Sequence, residues 1–129
     1  MNKLLLSLVL TSLVLPLSAQ DDALTWTPEY VMKFRGVTQT ALSPDGSHLA
    51  YVVRPPVMEG DKSEYNQQIW VAATDGSFNF QYTRGEKSNF SPAFYTDGTQ
   101  LAFVSSRSDK PQVFVMRLMG GEPEQISNA

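Results

Sequence analysis

The sequence contains no cysteine and only one histidine, and both absences limit what the chain can do. Without cysteine there is no disulfide framework and no cysteine for lipid attachment, so an exported domain must be held together by core packing or by contact with more protein. His48 is the single histidine, and the sequence alone does not identify a catalytic group of a serine, a base and an acid around it. We therefore expect His48 to be an exposed residue at the start of a strand.

An excess of basic residues is also absent. The chain has ten lysine and arginine residues and 13 acidic residues, which gives a net charge of −3 and a pI near 5.0. This balance provides no electrostatic surface for nucleic acid or for an anionic membrane. The hydrophobic content of 42% is typical of globular proteins, and the length allows one domain or part of one.

Long apolar runs are absent after the first residues of the chain. Residues Met1 to Ala19 have the order of a secretory signal: Lys3 is the basic start, Leu4 to Leu15 is the apolar run, and Leu17 to Ala19 fits a cleavage site. The alternative, a membrane anchor, requires about 20 apolar residues, and this run has roughly a dozen. The pattern predicts export to the periplasm or the medium, with cleavage after Ala19 and no membrane attachment afterwards.

Motifs for catalysis, phosphate binding and metal binding are missing as well. The sequence has no Gly-x-Ser-x-Gly elbow, no Gly-rich phosphate loop and no His-Glu-x-x-His pair. Its turn and loop hydroxyls and acids are expected to bond local backbone or solvent, and they are Ser43, Ser47, Ser88, Asp45, Asp61, Asp75 and Asp97. The acidic loop from Glu59 to Glu64 lacks the spacing of a calcium loop, and we give little weight to the sequon at Asn89. We predict no catalytic, cofactor-binding or metal-binding residue.

A short helix is indicated between Trp26 and Gly36. Thr27 fits the N-cap and Pro28 the first helical position, while Trp26 and Val31 have the spacing of a hydrophobic staple. Gly36 can adopt the left-handed conformation that ends a helix. Because so short a helix is marginal in water, its apolar side chains should dock against something larger.

The main feature that is present is a repeat of strands and tight turns. The turn and strand from Asp45 to Val52 match Asp97 to Val104 at an offset of 52 residues (45 to 97). Further along, Ile69 to Val71 match Val113 to Val115 at an offset of 44 residues (69 to 113). The difference corresponds to an insertion in the loop from Pro55 to Gln68, where a surface connection tolerates added length.

A period of about 45 residues with four short strands is typical of a β-propeller blade. We expect an all-β fold of two blades, Thr38 to Thr83 and Asn89 to Ser127, whose strands read as continuous apolar runs because both faces of a blade are buried. The predicted order is a signal peptide at 1–19, a lead segment with the short helix at 20–36, and blades at 37–129. The aromatic residues expected in the core, or in a channel, are Trp26, Trp70, Phe94, Tyr95, Phe103 and Phe114. Propellers have about four to eight blades, so a chain with two blades is expected to form an incomplete propeller. The uncovered outer faces of these two blades would then need the remaining blades of the same propeller.

Two motifs carry a resemblance to a known family. The helix that starts at Thr27-Pro28-Glu29, followed by Ala41 to Gly46 and Leu49 to Val53, resembles the amino-terminal start of the prolyl oligopeptidase family of serine peptidases, most of all exported bacterial dipeptidyl or acylaminoacyl peptidases. The resemblance implies a propeller that covers an α/β-hydrolase domain and admits short peptides, with the catalytic Ser, Asp and His outside this chain. The Ser-Pro-Asp-Gly pattern is shared with TolB-type propellers, so the alternative is a non-catalytic periplasmic propeller that binds a protein partner.

Overall fold

The structure is a computed structural model that describes residues 26–56 and 66–129. The predicted signal peptide at 1–19, the start of the lead segment, Asp61 and the acidic loop from Glu59 to Glu64 lie outside the described residues.

One short helix precedes eight strands. The helix α1 spans Pro28–Val31. The strands of the first sheet are β1 (Gly36–Leu42), β2 (His48–Arg54), β3 (Gln68–Ala73) and β4 (Asn79–Gln81). The strands of the second sheet are β5 (Asn89–Phe94), β6 (Gln100–Ser105), β7 (Gln112–Arg117) and β8 (Glu124–Gln125). Each sheet is an antiparallel meander in which consecutive strands are neighbours. We call the first sheet blade 1 and the second blade 2.

The strands form where the repeat predicts them because the Asp-Gly turns between them have the required geometry. Gly46, Gly76 and Gly98 have φ values of 72°, 80° and 69°, a region that glycine adopts without steric cost. In each turn the glycine N–H donates to the carbonyl three residues earlier, as Gly46 does to Ser43 at 2.9 Å. These turns join consecutive strands into tight hairpins and hold their register.

The two blades share one apolar core. Small aliphatic side chains of blade 1 join larger side chains of blade 2 in a single cluster, with Val52 fully buried and Phe103 1% exposed. The cluster includes Ala50, Val52, Ile69, Val71, Tyr82, Leu101, Phe103, Phe114, Met116 and Leu118. Strand β5 is the part of blade 2 that lies against β1, β2 and β3. The prediction of an all-β pair of blades is therefore confirmed.

Burial of the strands differs from the prediction in one respect. Along β2 and β6 buried residues alternate with partly buried ones, whereas a strand buried on both faces was expected. The reason is that each blade has a neighbour on one face only among the described residues. Of the aromatic residues expected in the core, Phe103 and Phe114 are buried, but Trp26 is 70% and Tyr95 39% exposed.

The short helix begins as predicted and ends earlier than predicted. Thr27 is the N-cap, and its Oγ1 accepts a hydrogen bond from the Tyr30 N–H at 3.1 Å. The helix has only four residues, and Gly36 opens β1 opposite Arg54, so the prediction that Gly36 ends the helix was wrong. The reason is that Gly36 pairs with Arg54 as the first residue of β1 instead of ending the helix. The ring of Trp26 packs on Tyr30 and Phe34, at centroid distances of 5.9 and 5.5 Å.

Candidate functional site

The turn before β2 brings a serine, an aspartate and the single histidine together. Asp45 accepts hydrogen bonds from the Ser43 hydroxyl at 2.6 Å and from the Ser47 hydroxyl and N–H at 2.7 and 3.0 Å. The Ser47 Oγ lies 2.6 Å from His48 Nδ1, and the His48 N–H donates to the Ser43 Oγ at 2.9 Å. Hydrogen bonds from Ser43 and Ser47 hold the pKa of Asp45 well below its usual range.

The order of these groups does not suit nucleophilic catalysis. In a catalytic triad the histidine lies between the acid and the serine, so that it can take the serine proton. Here Ser47 lies between Asp45 and His48 and donates its only hydroxyl proton to the carboxylate. The Ser47 oxygen can then only accept from His48, which leaves the imidazole unable to act as its base through this contact. The three groups stabilise the turn.

His48 is less exposed than predicted. It is the first residue of β2, as expected, but it is half-buried because its ring packs beside Phe78 at a centroid distance of 5.6 Å. The remaining turn acids repeat the Asp45 arrangement. The carboxylates of Asp75 and Asp97 accept from the N–H of the residue two positions later, at 2.9 Å in both turns. No group of three metal-ligating side chains occurs within 26–56 and 66–129.

Asn89 is buried, which bears on the sequon at this position. Only 1% of the residue is exposed, and its side chain donates to the Gln68 Oε1 and to the Lys87 carbonyl, both at 3.0 Å. A glycan on this nitrogen would replace one of its two hydrogens, so at least one of these hydrogen bonds would break and the residue would have to leave the core. The folded chain therefore does not present Asn89 for glycosylation.

Aromatic and polar contacts join blade 1 to blade 2. The ring of Tyr82 meets the edge of Phe103 at a centroid distance of 6.2 Å, and its hydroxyl donates to the Met116 carbonyl at 2.7 Å. Burial raises the pKa of the Tyr82 hydroxyl, so it remains a donor at neutral pH. Within blade 2, the Arg107 guanidinium lies 4.7 Å above the centroid of Phe114, a cation–π contact, and donates to the Asn89 Oδ1 at 3.2 Å.

Gln68 forms the most extensive hydrogen-bonded link between the blades. Its Oε1 accepts from the Thr83 hydroxyl at 2.8 Å and from the Asn89 amide at 3.0 Å. Its Nε2 donates to the carbonyls of Gly85 and Lys87 at 3.1 and 3.0 Å. One side-chain amide at the start of β3 thus fastens the connection that leads from β4 to the first strand of blade 2. We call this arrangement the glutamine clasp.

The glutamine clasp recurs at the start of β7. The Gln112 Oε1 accepts from the Ser127 hydroxyl at 2.6 Å and from the Ala129 N–H at 3.0 Å, and its Nε2 donates to the Ala129 carbonyl at 3.1 Å. The hydroxyls also match, since Thr83 accepts from the Ile69 N–H at 2.9 Å and Ser127 accepts from the Val113 N–H at 2.8 Å.

Sequence reasoning missed both glutamines, although a signal was present. Gln68 and Gln112 are separated by the same 44 positions as Ile69 and Val113, which the repeat had already aligned. A glutamine beside an aligned strand carries no motif by itself. Only the fold shows that its amide meets the connecting segment.

Each blade has one face without a neighbour among residues 26–56 and 66–129. The aromatic face of blade 1 consists of Leu49, Tyr51, Val53 and Trp70, and the aliphatic face of blade 2 consists of Ala102, Val104, Val113 and Val115. On the aromatic face a shallow groove is lined by Val37, Tyr51, Val53 and Trp70, with Arg35 at its side. Val37 is 62% exposed, so this edge of the sheet presents apolar surface.

These blades define the class of the protein: it carries part of a β-propeller. Solved structures with the same arrangement support this. A TolB from Agrobacterium tumefaciens superimposes with a TM-score of 0.59 at 26% identity, over 73% of this chain and 31% of that one. TolB from Acinetobacter baumannii gives 0.58 at 20% identity, over 73% of this chain and 22% of that one.

Curated relatives fall into two groups. The chain is 32% identical to dipeptidyl-peptidase 5 of Porphyromonas gingivalis over 118 residues, 88% of this chain and 17% of that protein. It is 31% identical to the uncharacterized peptidase YuxL of Bacillus subtilis over 103 residues, 79% of this chain and 15% of that protein. A TolB homolog of Chlorobium luteolum is 39% identical over 59 residues, 46% of this chain and 14% of that protein. No family model matches the chain.

The chain therefore spans about a sixth of the length of the peptidases it resembles. Within the part that the structure describes, no helix has the length and apolar character needed to cross a membrane.

Proposed function

We propose that this chain is the amino-terminal propeller part of an exported serine peptidase that hydrolyses short peptides, of the dipeptidyl- or acylaminoacyl-peptidase type. The observation that supports this most is the extent of the peptidase alignments. They cover 79% and 88% of the chain, whereas the TolB alignments cover 46% and 64% in the two most significant cases. A match confined to the shared blade repeat would leave the remainder of the chain unaligned.

In this proposal the chain acts as scaffold and gate. Acyl transfer requires a serine nucleophile, a histidine base and an acid that orients the histidine. The Asp45, Ser47 and His48 group does not have that order. In this proposal the catalytic serine belongs to a hydrolase domain outside the chain. The blades would limit the size of the peptides that reach that domain. The segment itself is not catalytic.

The test is the coding sequence beyond Ala129 together with an activity assay. A Gly-x-Ser-x-Gly elbow several hundred residues further on, and release of dipeptides or acylated amino acids from short chromogenic peptides by the full-length protein, would support the proposal. Replacement of the elbow serine by alanine should abolish release. A stop codon after a closed ring of blades, with no hydrolase domain, would overturn it.

The second candidate is a non-catalytic propeller that binds a protein partner, as the TolB-like fold suggests. The observation in its favour is that both solved structures reported above are TolB chains. The same coding sequence decides between the two functions, because a closed propeller without an elbow favours this candidate.

Export is the part of the proposal that can be tested on the chain's own residues. The order of Lys3, the apolar run and Ala19 predicts that the mature protein begins at Gln20. Intact mass measurement of protein recovered from the periplasm or the medium should show this start. Protein recovered only from the cytoplasm, with residues 1–19 attached, would contradict export.

A further inference from the structure

A cleft lies between the two blades, beside β4 and the turn that joins β7 to β8. The first strands of the blades approach each other, whereas β4 and β8 approach only their own sheets in the part of the chain that the structure describes. The blades therefore diverge towards their last strands and leave a cleft of about 390 Å³, a volume typical of small-molecule sites. We call it the interblade cleft, and its lining includes Phe80, Arg84, Arg107, Met116 and Glu122.

Arg84 is the arginine on the blade 1 side of the interblade cleft. It lies in the connection that follows β4, and together with Arg107 it also lines a second cavity of about 200 Å³. Within 26–56 and 66–129 the Arg84 side chain has no hydrogen bond and no ion pair. All its N–H donors are therefore available to a ligand.

Arg107 is the arginine on the blade 2 side, and the fold holds it in place. Its Nε donates to the Ser105 Oγ at 2.9 Å and one Nη donates to the Asn89 Oδ1 at 3.2 Å, while the group lies on the Phe114 ring. Both acceptors are neutral, and part of the fork of N–H donors remains for a ligand. Loss of water around the guanidinium lowers the pKa of Arg107, and the charge of Glu122 raises it. The side chain remains a cation at neutral pH.

The interblade cleft also carries a carboxylate and apolar surface. Glu122 lies on the blade 2 side, in the turn before β8, and its charge acts on Arg107 without a direct ion pair between them among the residues described. Phe80 is half-buried and Met116 is buried, and both line the cleft. Two guanidinium groups, one carboxylate and an apolar wall match a small molecule that has a carboxylate, an ammonium group and an apolar side chain.

An inorganic anion matches the interblade cleft less well. Phosphate would be attracted by the two arginines, but the Glu122 carboxylate would repel it and the apolar wall would have no partner. A short peptide with free termini uses all three features, because it carries one charge of each sign and side chains between them.

We propose that the interblade cleft binds a short peptide with free termini, such as a dipeptide. Its carboxylate is held by Arg84 and Arg107, its ammonium group by Glu122, and an apolar side chain packs against Phe80 and Met116. Binding is non-covalent. The inference rests on the proposed function only for the source of the ligand, since a dipeptidyl peptidase releases such molecules, and the binding itself requires no turnover.

The test is isothermal titration calorimetry of the full-length protein with alanyl-phenylalanine, with an elbow serine, if one is encoded, replaced by alanine. Arg84→Gln should weaken binding at one site per chain by about tenfold, because a charge-assisted hydrogen bond is lost. The thermal midpoint should not change, since Arg84 has no partner in the described fold. The matched control is Arg117→Gln, an exposed residue of β7 next to Met116 on the opposite face of the strand, which should leave binding unchanged.

A second variant tests the role of Glu122. Glu122→Gln should weaken binding of alanyl-phenylalanine and leave that of its N-acetyl derivative, which has no ammonium group, unchanged or stronger. If Glu122 acts only as a counter-charge to the arginines, the variant will strengthen binding of both peptides, and that result would contradict the proposed contact.

Failure of this inference is distinct from failure of the proposed function. Absence of saturable dipeptide binding, binding that Arg84→Gln leaves unchanged, or equal affinity for inorganic phosphate overturns the dipeptide site even if the protein is a peptidase. Binding that depends on Arg84 in a protein that encodes no elbow serine and releases no dipeptide supports the site and overturns the proposed function.

Discussion

At the scale of single residues, Asp45 and Gln68 show how one polar side chain can determine local structure. Asp45 receives two hydroxyls and one N–H, so its carboxylate organises the turn before β2. Gln68 forms hydrogen bonds with four groups, three in the segment between β4 and β5 and one in β5. Asp45 thus stabilises its own turn, whereas Gln68 stabilises the connection between the two blades.

The low pKa of Asp45 predicts a loss of stability in acid. A carboxyl whose pKa is lower in the folded than in the unfolded chain stabilises the fold above its unfolded pKa of about 4, and this contribution is lost as the pH falls further. Asp45→Asn should therefore reduce the difference between urea midpoints measured at pH 7 and pH 3. Asp109→Asn, at an exposed bend, is the control. Equal pH dependence in wild type and Asp45→Asn would contradict this role.

Removal of the Gln68 amide should be costly. In Gln68→Leu the buried amide of Asn89, the Thr83 hydroxyl and two carbonyls each lose a partner, and we expect the free energy of unfolding to fall by about 2 kcal/mol. Urea unfolding of the full-length protein measures this. The control is Gln100→Leu, a half-buried residue of β6, with an expected change below about 1 kcal/mol. A Gln68 variant as stable as the control would show that the glutamine clasp contributes nothing.

At the scale of elements, the bulge in β5 is the strained part of blade 2. Ser91 has a φ of 52°, the only positive value among the described non-glycine residues, and it lies where the pairing of β5 with β6 shifts register. Its N–H donates to the Gln39 side chain of β1 at 2.7 Å, so the bulge is held by the neighbouring blade. The blade contact therefore offsets the backbone strain.

This geometry reverses the usual preference for alanine over glycine. At position 91 a left-handed conformation costs a residue with a Cβ about 1 kcal/mol, while glycine adopts it freely. We expect Ser91→Gly to be more stable than Ser91→Ala by about that amount, measured by thermal or urea unfolding. An alanine variant as stable as the glycine variant would indicate that residue 91 leaves this conformation in solution.

Local elements were predictable from the sequence, and contacts between distant segments were not. The Asp-Gly turns and the Thr27 cap depend on residues within a few positions, and the structure has them where they were expected. The end of the helix was misjudged because Gly36 pairs with Arg54, a partner 18 positions away (36 to 54). The glutamine clasp was invisible for the same reason, since the partners of Gln68 come from β5 and from the segment between β4 and β5.

At the scale of the whole molecule, two blades pack large side chains of one sheet onto small side chains of the other. The pairing leaves the aromatic face of blade 1 and the aliphatic face of blade 2 without a neighbouring sheet among the described residues. Repeat units of this kind bury their apolar faces only against further repeats. We therefore expect that the chain forms the two blades and that their outer apolar faces are buried only when further parts of the protein are present.

The most direct test is the solution behaviour of residues 20–129 expressed alone, followed by sedimentation velocity and binding of a hydrophobic dye. The account predicts dye binding and association that increases with concentration without a fixed stoichiometry, because apolar faces and strand edges are exposed. Val104→Lys on the aliphatic face should reduce both, whereas Thr99→Lys in the exposed turn before β6 should not. A monomer that melts cooperatively and binds no dye would contradict the claim that these two blades are part of a larger propeller.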